Sequence, residues 1–294
     1  MIINNNISSI FANRQLTIVD GKLSKDMEQL SSGLRINKAG DDASGLAVSE
    51  KMRTQIRGLN QAMRNIQDAT SFIQTTEGYL QEITNSLQRV RELSVQGANG
   101  IYTDEDRGYL NVEIGLVVDE IDRVAQTAQF NTLHMLDGRF AQATVPQEGE
   151  GANPAITGAG ILFQIGPNQD NNVRTYISQL SAKGLGLRDN DGNVTIGTTT
   201  ADQANSSIGL IDKALRETTS QRTELGAYQN RFESLYQGLY IAFENTTAAE
   251  SRIRDTNMAK AVSELVKNQI LTQSTVSMLA QANLKPQMLL TLLQ

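Results

Sequence analysis

No cysteine and no tryptophan occur in the 294 residues. Without cysteine, disulfides, thiolate metal sites and cysteine nucleophiles are excluded. Aromatic residues make up only 5% of the chain and hydrophobic residues 39%. That is thin for a compact globular core and typical of long helices packed by Leu, Ile, Val and Ala. Only four prolines occur, at Pro146, Pro154, Pro167 and Pro286. Three lie in the middle, so long helices are permitted on both sides. His134 is the only histidine, and no serine motif or metal-ligand spacing accompanies it, so a structural role is expected. Acids at 104–106, 119, 120 and 122 do not follow EF-hand spacing and read as a solvated helix face. No glycine cluster has the Lys and Ser/Thr context of a phosphate loop. The expectation is therefore no catalytic residue, no cofactor and no metal site. The net charge of −6 disfavours nucleic acid and anionic membrane as partners. No apolar run reaches membrane-span length. Met1–Asn6 lacks the basic and apolar regions of a cleaved signal peptide, so any export is expected to use a dedicated route.

What the sequence does have is an apolar stripe near each end. Leu16, Val19, Leu23, Met27 and Leu30 fall at steps of three and four. Met258, Val262, Leu265, Gln269, Thr272, Val276 and Leu279 do the same. Stripes this narrow must pair, and the two ends are expected to form a coiled coil. Met288–Leu293, including Leu289 and Leu290, adds a nearly all-apolar last turn. Isolated helices of this kind are marginal in water. Roughly the first and last forty residues are expected to order only on assembly.

Between the ends the pattern predicts a first helix from about Ser8 to Ser32, then a glycine-broken segment from Gly33 to Gly45. Asp42, with Asp41, stands before the next helix as an expected N-cap. A helix of roughly 80 Å follows, from about Ser44 to Gln96. Another begins near the acids at 104–106, which suit a helix N-terminus. Ile161–Ile165 and Val173–Ile177 read as strands around a turn, and Val194–Ile196 as a candidate third. Helix resumes near Ser206 and is expected to pass with little interruption into the last one. The expected fold is mainly α, an elongated rod of long helices: a terminal coiled coil, a helical bundle and a small hairpin-containing insert. The expected divisions are 1–42 with 255–294, 43–136 with 207–254, and 137–206, with no large outer domain.

Leu30–Asn37 with Asp41–Ala47 resembles the N-terminal signature of bacterial flagellin. Gln88–Gln96, Gln129–Asn131 with Leu136–Gly138, and Met278–Asn283 with Pro286, Gln287, Leu289 and Leu290 resemble further signatures, in the right order. Gly100–Tyr102, Glu105–Arg107, Gly138–Phe140 and Phe163–Gly166 are similar to the core flagellins of spirochaetes. The resemblance implies a self-assembling filament subunit for motility, with terminal helices lining the channel. It implies a homopolymer, helped by cap, hook-junction and export-chaperone proteins, and sheath proteins in a spirochaetal periplasm. It also places Arg89, Leu93 and Glu113 at a patch that an innate immune receptor reads in the family. A hook–filament junction protein and, from another class, a monomeric helical binding module are the alternatives.

Two stretches have opposite charge. Bases outnumber acids between Leu34 and Arg64, and acids dominate from Tyr102 to Asp122. These stretches are expected to meet across neighbouring subunits, with Arg53, Arg57, Glu113 and Asp119 as the lateral packing candidates.

Overall fold

The computed structural model describes residues 6–142, 160–189 and 191–292, with side chains up to residue 285. Five helices carry most of the chain: α1 (Ile7–Ser32), α2 (Ala43–Gly97), α3 (Asp104–Thr127), α4 (Ala201–Arg254) and α5 (Met258–Leu292). Two antiparallel hairpins complete the described elements, β1 (Gln129–Phe130) with β2 (Leu133–His134) and β3 (Ile161–Gln164) with β4 (Asn172–Thr175). The chain divides into two compact units, 1–57 with 243–294, and 58–242.

Local chemistry sets the helix ends. Asn6 caps α1 by accepting from the Ser9 N–H, and Gly33 closes it at φ 71°, a left-handed conformation that glycine adopts freely. Asp42 accepts from the Gly45 N–H at 2.8 Å and so caps α2. Thr103 and Asp106 form a reciprocal capping box at the start of α3. The buried Arg107 donates to the carbonyl of Gly97, the last residue of α2, and to that of Asn99 just beyond it. Asn257 caps α5 by accepting from Lys260.

The unit spanning 58–242 holds the main core. Along α2, Leu59, Met63, Ile66, Ile73, Leu80, Ile83, Leu87 and Val90 are buried, with Ala62, Ala69 and Phe72 beside them. Ile114, Val118, Ile121 and Val124 face inward from α3, and Ile211, Ala214, Leu225 and Phe232 from α4. Phe72 is the centre of an aromatic chain. Its ring centroid lies 5.6 Å from Phe130 of β1 and 5.8 Å from Phe163 of β3, and Phe163 lies 5.7 Å from Phe232. Edge-on and tilted contacts of this kind tie both hairpins to the helices. Gly58 lets the β3–β4 turn approach α2, since a Cβ there would stand 2.7 Å from that of Pro167.

Many polar groups of this unit find partners within it, although Thr175 Oγ1 is buried without one among the described residues. The amide of Gln221 accepts from the Ser178 N–H and donates to the Tyr176 carbonyl. Thr70, Ser71, Thr75, Thr76, Thr84 and Ser94 on α2 each donate to the carbonyl four residues earlier, as Thr218 and Thr223 do on α4. His134 Nδ1 lies 3.0 Å from the Gln126 carbonyl, so Nδ1 carries the proton and donates.

Four features differ from the sequence reading. The β1–β2 hairpin was not expected: its turn puts Asn131 and Thr132 at φ 47° and 66°, and Thr is a rare occupant there. Val194 forms only an isolated bridge with Arg188, because Gly197 and Thr198 next to it are held by Ser207, Asn111 and Arg107 instead. Helix α4 starts at Ala201, where Thr200 accepts from the Gln203 N–H. It stops at Arg254, because Asp255 leaves the helix to bridge Leu34.

Candidate assembly surfaces

In the unit made of the chain's two ends, α1 packs antiparallel against α5. The seam on α1 is Ala12, Leu16, Val19, Leu23, Asp26 and Leu30, all buried or half-buried. On α5 it is Ala261, Leu265, Asn268, Thr272, Thr275, Leu279 and Ala282. Both series advance by alternating threes and fours, the 3.5-residue period of a coiled coil. Asn268 Nδ2 donates to Asp26 Oδ2 at 2.5 Å, and both side chains are 9% exposed. At the far end Asn6 donates to the Ala282 carbonyl, and Ser9 to Asn283 Oδ1.

This seam buries little apolar material. Among the described residues of the unit, the buried apolar side chains are Ala12, Val19, Ile36, Ala261 and Ala282. Larger apolar groups face outward instead: Ile7, Ile10, Phe11 and Ile18 on α1, and Val266, Ile270, Leu271, Met278 and Leu284 on α5. A groove of about 690 Å³ runs between the helices, lined by Ile7, Phe11, Leu271 and Met278 among others. Met27, Met258, Val262 and Val276, which the sequence pattern places in the seam, are about half exposed and lie off it. The heptad phase gives the position beside Met27 to Asp26. The side chains of Leu289 and Leu290 lie outside the described residues.

At the base of the helix pair the backbone is tied by Arg35 N–H to the Arg254 carbonyl and Thr256 N–H to that of Gly33. Asp41 organises the loop before α2. Its carboxylate meets Lys25 Nζ at 2.7 Å and accepts from the N–H groups of Lys38 and Asn37. Lys25, then the Lys38 amide, pulls its pKa down from 3.8 to about 2. A pKa lowered in the folded state contributes stability that is complete above about pH 4 and is lost as pH falls toward 2. The amide resonances of Asn37 and Lys38 should therefore titrate with a midpoint near pH 2. In Asp41→Asn they should show no such step. A midpoint near pH 4 would mean that these contacts do not hold the carboxylate.

The charged candidates are mostly engaged within the chain. Arg53 lies 3.6 Å from Glu50 and 3.7 Å from Glu250. Glu113 accepts from Arg89 at 2.6 Å, and Asp119 pairs with Arg188. Arg57 is exposed, and among the described residues no ion pair within the chain engages it. Glu113, with Glu92 behind it, raises the Arg89 pKa above its ordinary value. Leu93, by contrast, is 1% exposed and belongs to the core, so of that trio only Arg89 and Glu113 reach the surface. A further exposed stripe, Tyr109, Val112 and Leu116, runs along α3 and was not singled out from the sequence. Its steps of three and four are legible, but they read equally as core.

Comparison with known proteins decides what these surfaces belong to. The model of the bacterial flagellin N-terminal helical region matches residues 3–141, and that of the C-terminal helical region matches 208–293. A flagellar filament core protein of Brachyspira hyodysenteriae is 56% identical over 294 residues, covering all of both chains. The chain belongs to the bacterial flagellin family. It is a flagellar filament core subunit, a structural protein and not an enzyme. The flagellar filament 30.7 kDa core protein of Treponema maltophilum is 54% identical to this flagellin, again over the whole of both chains. A putative flagellar hook-associated protein from Vibrio parahaemolyticus shares the fold. Its TM-score is 0.55 at 16% identity, over 73% of this flagellin and 100% of that chain. Among the described residues, no helix is long and apolar enough to cross a membrane.

Proposed function

We propose that the outward apolar faces of α1 and α5 are the contacts by which this flagellin polymerises. The observation that carries the reading is the inversion of the usual helix-pair pattern. The fully buried seam positions, Ala12, Asp26, Ala261, Asn268 and Ala282 beside Val19, are mostly small or polar and the seam leucines are only half-buried, while Ile10, Phe11, Ile270 and Met278 are exposed. Exposed apolar surface on this scale marks an interaction site. In this reading 1–42 with 255–294 lines the filament channel, 43–136 with 207–254 forms the helical bundle, and 137–206 is a short insert. The coiled-coil residues Leu16, Val19, Leu23, Leu30, Leu265 and Leu279 pair the ends. Met27, Met258, Val262, Val276, Leu289 and Leu290 serve contacts between subunits.

Similarity to spirochaete filament core proteins supports a periplasmic filament, with sheath proteins, a cap, hook-junction proteins and an export chaperone as helpers. Arg57 is the base free to meet an acid of a neighbouring subunit, with Arg53, Glu113 and Asp119 available only by exchanging their present partners. A receptor that reads the folded bundle meets Arg89 and Glu113, with Leu93 as their support.

So little apolar burial within the terminal pair also supports coupled folding. Most helical stability comes from tertiary packing, and here the neighbours supply it. Deleting Lys285–Gln294 should leave the calorimetric midpoint of the bundle nearly unchanged and abolish seeded, pelletable polymer. Normal polymerisation of the truncated protein, or hydrogen exchange showing both ends already protected in the monomer, would overturn the reading.

A further inference from the structure

We infer that the Asp26–Asn268 pair is the residue pair that sets the register of α1 against α5, and so selects which apolar residues the terminal pair presents to its neighbours. The inference rests on the reading of that pair as the assembly element. The two helices come from opposite ends of the chain, and the bonded residues stand 242 positions apart. No short turn fixes their alignment. Leu16, Leu23 and Leu30 recur every seven residues along the α1 seam, so a slide by one heptad again presents leucine on that side. The buried hydrogen bond does change. Continuing the register of the 26–268 bond sets Ala12 opposite Ala282, Leu16 opposite Leu279 and Leu30 opposite Leu265.

A slip of one heptad in one direction faces Asp26 with Ala261 and Asn268 with Val19. Two buried polar groups are then left without partners. The opposite slip moves Asn268 past the end of α1 and faces Asp26 with Thr275. A polar residue at one core position of a coiled coil is an established way to specify alignment, and its force comes from the cost of unsatisfied buried groups. The backbone ties at Gly33, Leu34, Asp255 and Thr256 hold the base of the pair. The carboxylate–carboxamide bond lies up the seam, beyond Leu30. A slipped pair would shift Ile10 and Phe11 along the axis relative to Ile270 and Met278 by about 10 Å, out of the pattern that a neighbouring subunit meets.

The absence of cysteine makes register directly measurable. Ala12→Cys with Ala282→Cys reports the native alignment through a short thiol crosslinker, since both residues line one groove. Ala12→Cys with Thr275→Cys reports a one-heptad slip. Both are read in full-length chains added to filament seeds, together with the amount of chain incorporated. Asn268→Asp sets two carboxylates face to face and should cut native crosslinking and incorporation by about tenfold or more. Adding Asp26→Asn exchanges the two groups and should restore both. Asp26→Leu with Asn268→Leu keeps the helices paired but should raise the slipped crosslink at the expense of the native one. Native crosslinking unchanged by Asn268→Asp, no rescue by the exchange, or a Leu–Leu pair held in the native register would each overturn the inference. If the crosslinks move as expected while incorporation stays constant, register is set by this pair but the terminal helices are not the assembly element. That outcome would sink the proposed function separately.

Discussion

Replacing Ile10 and Ile270 together by aspartate should raise the concentration needed for seeded filament growth by about 10²–10⁴-fold, with little change in the melting of the bundle. The two side chains are 63% and 60% exposed in the free chain. Surface substitutions at such places usually change stability by no more than about 0.5 kcal/mol. In a polymer that buries them, each isoleucine contributes about 1.5–3 kcal/mol. Losing both removes roughly 3–6 kcal/mol, at about 1.4 kcal/mol per tenfold. Burying aspartate in their place adds to that loss. Pelleting against a concentration series measures the shift, and circular dichroism of the monomer checks the fold. Growth at the wild-type concentration would mean that these faces stay in water within the filament.

Phe72→Ala should be the most damaging single change to the bundle. Phe72 is buried on α2 and touches one phenylalanine from each hairpin. Truncation removes a large apolar side chain and leaves a cavity that two-strand hairpins and rigid helices fill poorly. The expected cost is about 3–5 kcal/mol, a fall in melting midpoint of roughly 6–20 °C for a unit of this size. Tyr109→Ala is the matched control, since Tyr109 is aromatic but 69% exposed. Equal midpoints for the two variants would show that the aromatic chain is not what joins the hairpins to the helices.

The helices were legible because their signals are local. Gly33 and Gly97 stand where α1 and α2 end, Asp42 caps α2, and the acids at 104–106 open α3. The β3–β4 hairpin was equally plain, since apolar runs flank an Asn-rich turn that opens with Gly166–Pro167. What escaped was set by distant partners or by unusual occupants. The β1–β2 turn uses Asn–Thr where the usual signal is Asn–Gly, so nothing marked it. The break after Arg254 depends on Leu34, which lies at the other end of the chain. The seam of the terminal pair was hidden for a different reason. Counting apolar residues finds Met27 and passes over Asp26, yet the polar residue is the one inside. In a helix pair whose large apolar groups serve other molecules, hydropathy marks the outer faces as strongly as the inner one. The charged candidates show the converse. Opposite charge on two stretches suggested contacts between subunits, but Glu50, Glu250, Arg89 and Arg188 already engage three of the four within the chain.

The hydroxyls along α2 and α4 have a mechanical consequence. Thr70, Ser71, Thr75, Thr76, Thr84 and Ser94, with Thr218 and Thr223, each share a carbonyl that already accepts the helical N–H. Such shared acceptors slightly weaken the helical ladder and favour bending. They are scattered over many turns, and no proline stands in either helix to concentrate the effect. The bundle is thus given small, distributed elastic compliance in place of a hinge. A strut of this kind can flex under load, spread the strain over many peptide groups, and spring back.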